Sequence, residues 1–308
     1  MADSISQVAA RMRRFEKTLQ GRIENQEVAL MRIFLGAEKK LFAERSAILS
    51  RLAIGENGKL LQDNENLARV ESIIEQVDGI VQQELVTPGR DWADAALPEA
   101  LKDGRSLARI NFNLIDTRLV QEAFRQVSVA EAGVLRVGIQ DAYEIMGTTG
   151  ADIAEFFRRE LTESVLLGRP VQGPGSLAER LFESNRLKPL KIRTQENKII
   201  TRSIRQRAVG IARIETAKIV NRAHQIKTEE IYEQLGEEEP VYVNINPQDS
   251  RTTDICMRAS KQPPMTIEEW DRSEFGRPPR LNPFHYCRSL LMAGTRRMFK
   301  VEGYRTDA

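Results

Sequence analysis

A chain of 308 residues with 41% apolar, 29% charged and 6% aromatic content is long enough for one to three domains. Its balance disfavours a thick multi-strand core and fits long, solvated helices. The formal charge of +2 excludes a whole-molecule field, so an anionic partner has to be drawn by local clusters of Lys and Arg. Only two cysteines are present, Cys256 and Cys287, which excludes a disulfide framework and points to a reducing compartment.

The first residues, MADSISQVAARMRRFEKTLQ, lack the apolar core of a signal peptide. No stretch approaches the roughly eighteen uninterrupted apolar residues of a spanning helix. The expectation is a protein made in the cytoplasm that contacts no membrane.

From Ile5 to Leu52 the apolar positions Ile5, Val8, Met12, Phe15, Leu19, Ile23, Leu30, Phe34, Ala37, Leu41, Ile48 and Leu52 follow helical spacing. Capped at Asp3 or Ser4 and stopped by Gly55-Glu56-Asn57-Gly58, the stripe predicts a helix of roughly 70 Å. Leu60 to Leu85 repeats the pattern through Leu67, Val70, Ile74, Val77 and Val81, which predicts an antiparallel helical hairpin over 1–86. The first arm outlasts the second by about twenty residues. That surplus stripe either docks on another protein or packs on later helices, and both readings stand.

Thr87-Pro88-Gly89 reads as the end of the hairpin and Pro98 as the start of the next helical tract, within a helical middle region over 87–173. Gly147-Thr148-Thr149-Gly150 reads as a turn that caps a helix from Asp152 to Leu167. The breaker cluster from Gly168 to Gly175 marks the last domain boundary.

Beyond it the chain turns basic. Lys191, Arg193, Lys198, Arg202, Arg205 and Arg207 lie in a tract from Arg186 to Arg222 whose acids are Glu196 and Glu215. Such a tract suits a solvated helix face, a phosphate backbone, or an acidic protein surface. No aromatics interleave, so bases are not read. One long helix is expected from Lys198 to Leu235, stopped by Gly236. Val241-Tyr242-Val243-Asn244-Ile245 is the best strand candidate. The fold class is mainly α, with a long N-terminal helical hairpin and a small α+β C-terminal module over 174–308.

Three pieces then fall in order: Ala212-Arg213-Ile214-Glu215-Thr216 on a helix, Asp249-Ser250-Arg251-Thr252 with Cys256 after a strand, and Pro278-Pro279 leading to His285-Tyr286-Cys287-Arg288-Ser289. Together they resemble the phage head-morphogenesis family, the Mu F-like minor capsid proteins, over about residues 175 to 295. Ile214 stands where that family commonly has Thr, and extra residues separate the prolines from His285. The resemblance implies a low-copy, non-enzymatic virion component made in the host cytoplasm and located at the portal vertex of the capsid. Its implied partners are the portal protein, the major capsid or scaffolding protein, and packaged DNA. A DNA-binding or toxin-associated protein carrying the same module is the competing expectation.

Within the module, Arg213, Glu215, Asp249, Arg251, His285, Cys287 and Arg288 are expected as internal ties, with Glu215 pairing Arg251 or Arg288. Cys256, His285 and Cys287 admit three readings: packed thiols, a zinc site completed by Asp249 or Asp254, or a disulfide formed late in the virion. No catalytic residue is assigned. His285 and Cys287 are too close in sequence to face one another as base and nucleophile.

Overall fold

The computed structural model describes residues 5–112, 118–183, 190–193, 199–246, 254–276, 281–282, 285–286 and 289–301. The fold is mainly helical, with a small antiparallel sheet near the C-terminus. By internal packing the chain forms two units, one of residues 1–26, 95–139 and 212–308, the other of 27–94 and 140–211. Each unit draws on all three segments 1–86, 87–173 and 174–308. The boundaries between units fall inside the four longest helices: α1 (Ile5–Ala43), α4 (Thr87–Phe112), α6 (Val129–Leu166) and α7 (Ile204–Leu235).

The predicted stripe is present and covered. Every apolar stripe position from Ile5 to Leu52 is buried except Phe15, which is half-buried. The expectation that part of it is left open for another protein is therefore overturned, and the reading in which it packs on later helices holds. Its premise failed because the second arm does not stop near Leu85. A short helix α2 (Arg45–Ser50) follows a single break at Glu44, and α3 (Asn64–Val81) is continued by a π-helical turn, Gln82–Val86, into α4.

In the unit of 27–94 and 140–211, α3 runs back past the end of α2. Arg51 donates to Ser72 Oγ and to Gln76 Oε1, each at 2.9 Å. Asp63 caps α3 by accepting from Asn66 N at 2.7 Å. The fully buried Asn66 side chain accepts from Ala53 N and donates to Ala53 O and Leu61 O at 2.8 to 2.9 Å. Its three bonds saturate the amide apart from one lone pair, and they hold the connecting loop against the helix start.

Two proline and glycine readings are corrected here. Pro88 and Gly89 do not end a helix: they form the first turn of α4, because the π turn, with Thr87 N–H reaching Gln82 O, shifts the hydrogen-bond register just before a residue that has no N–H. Pro98 lies inside α4 and releases the carbonyl of Asp94, a residue on the exposed side of the helix where water can satisfy it.

The segment Gly147 to Gly150 is likewise helix, not turn, since α6 is unbroken from Val129 to Leu166. Thr149 is buried and donates to Ile145 O at 2.7 Å, satisfying its hydroxyl within the helix. Gly150 is a contact point: a Cβ there would lie 2.8 Å from Val86 Cγ2 and 3.0 Å from Val81 Cγ1. Its missing side chain lets α6 approach the π turn, which is a packing role.

After the loop at Gly168–Gly175, strands β1 (Leu190–Arg193) and β2 (Ile199–Arg202) form an antiparallel hairpin. The long basic helix therefore begins at Ile204 and not at Lys198. The β-branched run Ile199-Ile200-Thr201 favours a strand. Ser203 then starts α7 with a reciprocal cap, Gln206 N donating to Ser203 Oγ at 3.3 Å and Ser203 N donating to Gln206 Oε1 at 3.1 Å.

In the unit of 1–26, 95–139 and 212–308, α7 is the central element and is buried on several sides from Ala212 to Tyr232. It stops where the sequence predicts. Gly236 has φ 65°, Glu237 N donates to Tyr232 O, and Gly236 N donates to Glu233 O, the paired bonds of a left-handed glycine cap. Strand β3 (Val241–Ile245) pairs antiparallel with β6 (Leu290–Gly294), Val241 opposite Gly294 and Ile245 opposite Leu290, with every residue of both strands buried. Helices α8 (Asp254–Ala259), α9 (Ile267–Arg272) and α10 (Arg296–Val301) surround it in sequence. Trp270, fully buried on α9, donates Nε1 to Tyr242 O at 3.1 Å and packs with Tyr242, Phe275 and Leu291.

Candidate functional site

The motif residues that the structure describes all fall in one unit. Arg213 and Glu215 lie on α7, Cys256 lies on α8, and His285 lies on β5 (His285–Tyr286), whose backbone pairs with β4 (Leu281–Asn282). Asp249, Arg251, Cys287, Arg288 and the side chain of His285 are outside the described residues.

Glu215 is 2% exposed, and its two oxygens accept from Lys218 Nζ at 2.9 and 3.2 Å, one turn along the same helix. Cys256 is buried. Its backbone carbonyl accepts from the buried Asn246 side chain at 3.0 Å, tying α8 to the end of β3. Among the described residues, no three His, Cys, Asp or Glu side chains are grouped to hold a metal.

The basic tract is divided by the fold. Lys191 and Arg193 occupy β1, Arg202 closes β2, and Lys198 lies in the intervening segment outside the described residues. Arg205 is exposed and Arg207 half-buried in the first turn of α7. Burial raises the carboxyl pKa of Glu38, and the Arg205 charge partly offsets it; burial raises Asp152 in the same way, with Arg207 opposing. These two arginines thus have carboxylate neighbours within their own unit. Further along α7, Lys218 and Arg222 are exposed and Arg213 is half-buried, so the basic residues keep to a solvated side of a helix that is otherwise largely buried.

Two buried polar assemblies were not visible in the sequence reading. In the first, Glu131 is fully buried at the start of α6. Its Oε2 accepts from Arg105 Nη1 at 3.0 Å, from Ser128 N at 2.8 Å, and pairs with Lys227 Nζ at 3.0 Å. Lys227, on α7, also pairs with Glu230 at 2.8 Å and donates to Ala123 O at 3.2 Å. Arg105, on α4, also donates to Phe124 O at 2.7 Å and Gln126 O at 2.9 Å. One carboxylate thus joins α4, α6 and α7, and its cations close the carbonyls after α5 (Arg118–Ala123). Ser128-Val129-Ala130-Glu131 has the sequence form of a reciprocal helix cap, a signal that could have singled out Glu131.

In the second assembly, His224 on α7 is 1% exposed, and burial lowers its pKa to about 3. Its Nε2 lies 2.7 Å from Asn111 Nδ2 on α4, so the neutral ring accepts the amide N–H. Gly104, nearby on α4, has no room for a Cβ, which would meet Val220 O, Ala223 Cβ at 2.7 Å and His224 N at 3.1 Å. These groups brace helix to helix. Glu215, His224 and Lys227 are each at most 2% exposed and offer no reactive atom to a substrate in water.

No protein-family model, curated protein or solved structure matches this chain. No described helix is long and apolar enough to cross a membrane.

Proposed function

We propose that this chain is a structural minor capsid protein of a tailed bacteriophage, of the head-morphogenesis kind, which binds the portal vertex and aids procapsid assembly and DNA packaging or ejection. The observation that carries the reading is the order of the motif pieces in the sequence, Ala212–Thr216, Asp249–Thr252 with Cys256, and His285–Ser289, whose described residues belong to one unit. The buried ties of that unit, from Glu215 to Asn246, fit a part that works by recognition and holds its shape, with no catalytic role assigned.

The partner expected is the portal protein encoded beside this chain. Because both units take residues from either side of Gly173–Gly175, cutting there would strip packing from both, and the test uses the full-length chain. Tagged chain is expected to retain assembled portal through washing at physiological salt. Failure to retain portal, with duplex DNA retained instead, would favour the DNA-binding or toxin-associated reading.

A further inference from the structure

We propose that the outer face of α6 pairs with the same face of a second copy of this chain, the two helices crossing antiparallel about a two-fold axis at Gln140. α6 is unbroken from Val129 to Leu166, and an α-helix turns about 100° per residue. Positions 129, 133, 136, 140, 144, 147 and 151 therefore fall within about 40° of one line along it. That line faces outward. Val129 is 91% exposed, and Arg136, Gln140, Glu144 and Ala151 are exposed as well. Val137, beside the line, is 60% exposed.

The line is matched about Gln140. Arg136 and Glu144, of opposite charge, lie four residues to either side, Gly133 and Gly147 seven, Val129 and Ala151 eleven. In a two-fold pair, a residue before the axis meets the residue at the same distance after it on the other copy. Each Arg136 thus meets Glu144 of the second copy, twice per pair, and each Val129 loses its exposure against an Ala151. Gly133 and Gly147 have nothing within 4 Å of an added Cβ, so no neighbour in the chain demands glycine at either, and glycine weakens a helix interior. Facing one another across the axis, they let the two backbones approach. Glu144 accepts from Gln140 Nε2 at 3.1 Å, which leaves its carboxylate capacity for a guanidinium. One cation and one anion at matched distances select a second copy as the occupant, because the face answers its own charges.

Sedimentation equilibrium of the full-length chain from about 1 to about 100 µM tests this. A single helix pair is smaller than a standard interface, so a dimer with a micromolar dissociation constant is expected. Arg136→Glu and Glu144→Arg should each weaken it about tenfold or more, since each sets like charges opposite one another at two places. The double variant should regain most of the wild-type affinity. Arg136 and Glu144 are about 12 Å apart along their own helix, too far to pair within one chain, so rescue reports contact between copies and not repair of the fold. Gly133→Gln should dissociate the dimer with no loss of Tm.

A monomer throughout that range would overturn the proposal, as would single variants that dimerise like wild type or a double variant no better than the singles. A monomeric chain whose portal retention is lost in Arg136→Glu would overturn it in favour of the portal as occupant of this face. Self-pairing does not depend on the portal: dimerisation without portal retention would leave it standing and sink the capsid reading.

Discussion

Replacing Glu131 by Ala is expected to lower the unfolding free energy by about 3 kcal/mol, the lower end of the range for breaking a buried ion pair by removing one partner. The carboxylate is fully buried, and its loss leaves Arg105 and Lys227 without their shared counter-charge. The full penalty is not expected. Lys227 keeps Glu230 and Ala123 O, and Arg105 keeps two carbonyls.

An exposed pair gives the contrast. Glu71 and Arg158 meet at 2.6 Å, but their side chains are 58% and 42% exposed, and Glu71→Ala should cost no more than about 1 kcal/mol. Pairing Glu131→Leu with Lys227→Met should recover part of the Glu131 loss, because two desolvated charges leave together. Denaturant titrations of the four proteins check this, and equal losses from Glu131→Ala and Glu71→Ala would contradict the assigned role.

Acidification is expected to weaken the fold through His224. In the folded chain the ring is held neutral, its pKa lowered to about 3 by burial, whereas the unfolded chain protonates near 6.5. The unfolded state therefore takes up a proton that the folded state refuses. The contribution is fully present above pH 6.5 and is lost as pH falls from 6.5 toward 3, at about 1.4 kcal/mol per pH unit. Between pH 7 and 5 the expected loss is about 2 kcal/mol.

Asp103, Glu38 and Asp152 act in the opposite sense. Burial raises their carboxyl pKa values, so the folded chain binds their protons more readily and gains stability as pH falls. The observed slope consequently understates the histidine. His224→Gln isolates it, since the chain has only two histidines: the variant should lose most of the slope above pH 5, whatever its stability at pH 7. An unchanged slope would contradict the buried neutral ring.

The helical stripe of α1, the stop at Gly236 and the strand at Val241–Ile245 were legible because each rests on a local rule: side-chain periodicity, a left-handed glycine, and β-branched alternation. Gly147–Gly150 was not, since the same residues that make a turn also make a close helix contact. Only the neighbours Val81 and Val86, more than sixty residues away in sequence, distinguish the two. The β1–β2 hairpin was hidden within a basic run that continues into a real helix.

The candidate site was legible as motif pieces and not as geometry. Periodicity treats Glu131, Lys227 and His224 as surface residues, because a charged side chain signals burial only through a partner, and their partners lie on other helices. The two units escaped for a related reason. Their boundaries fall inside α1, α4, α6 and α7, where no breaker residue is needed, whereas sequence reading places boundaries at loops such as Gly168–Gly175.

Quantitative mass spectrometry of gradient-purified particles, produced from the genome that encodes this chain, tests the capsid assignment most directly. The chain is expected in DNA-filled particles at a small, fixed ratio to portal, far below the major capsid protein. Particles that carry portal and capsid protein but lack this chain at every stage from procapsid to mature head would contradict it.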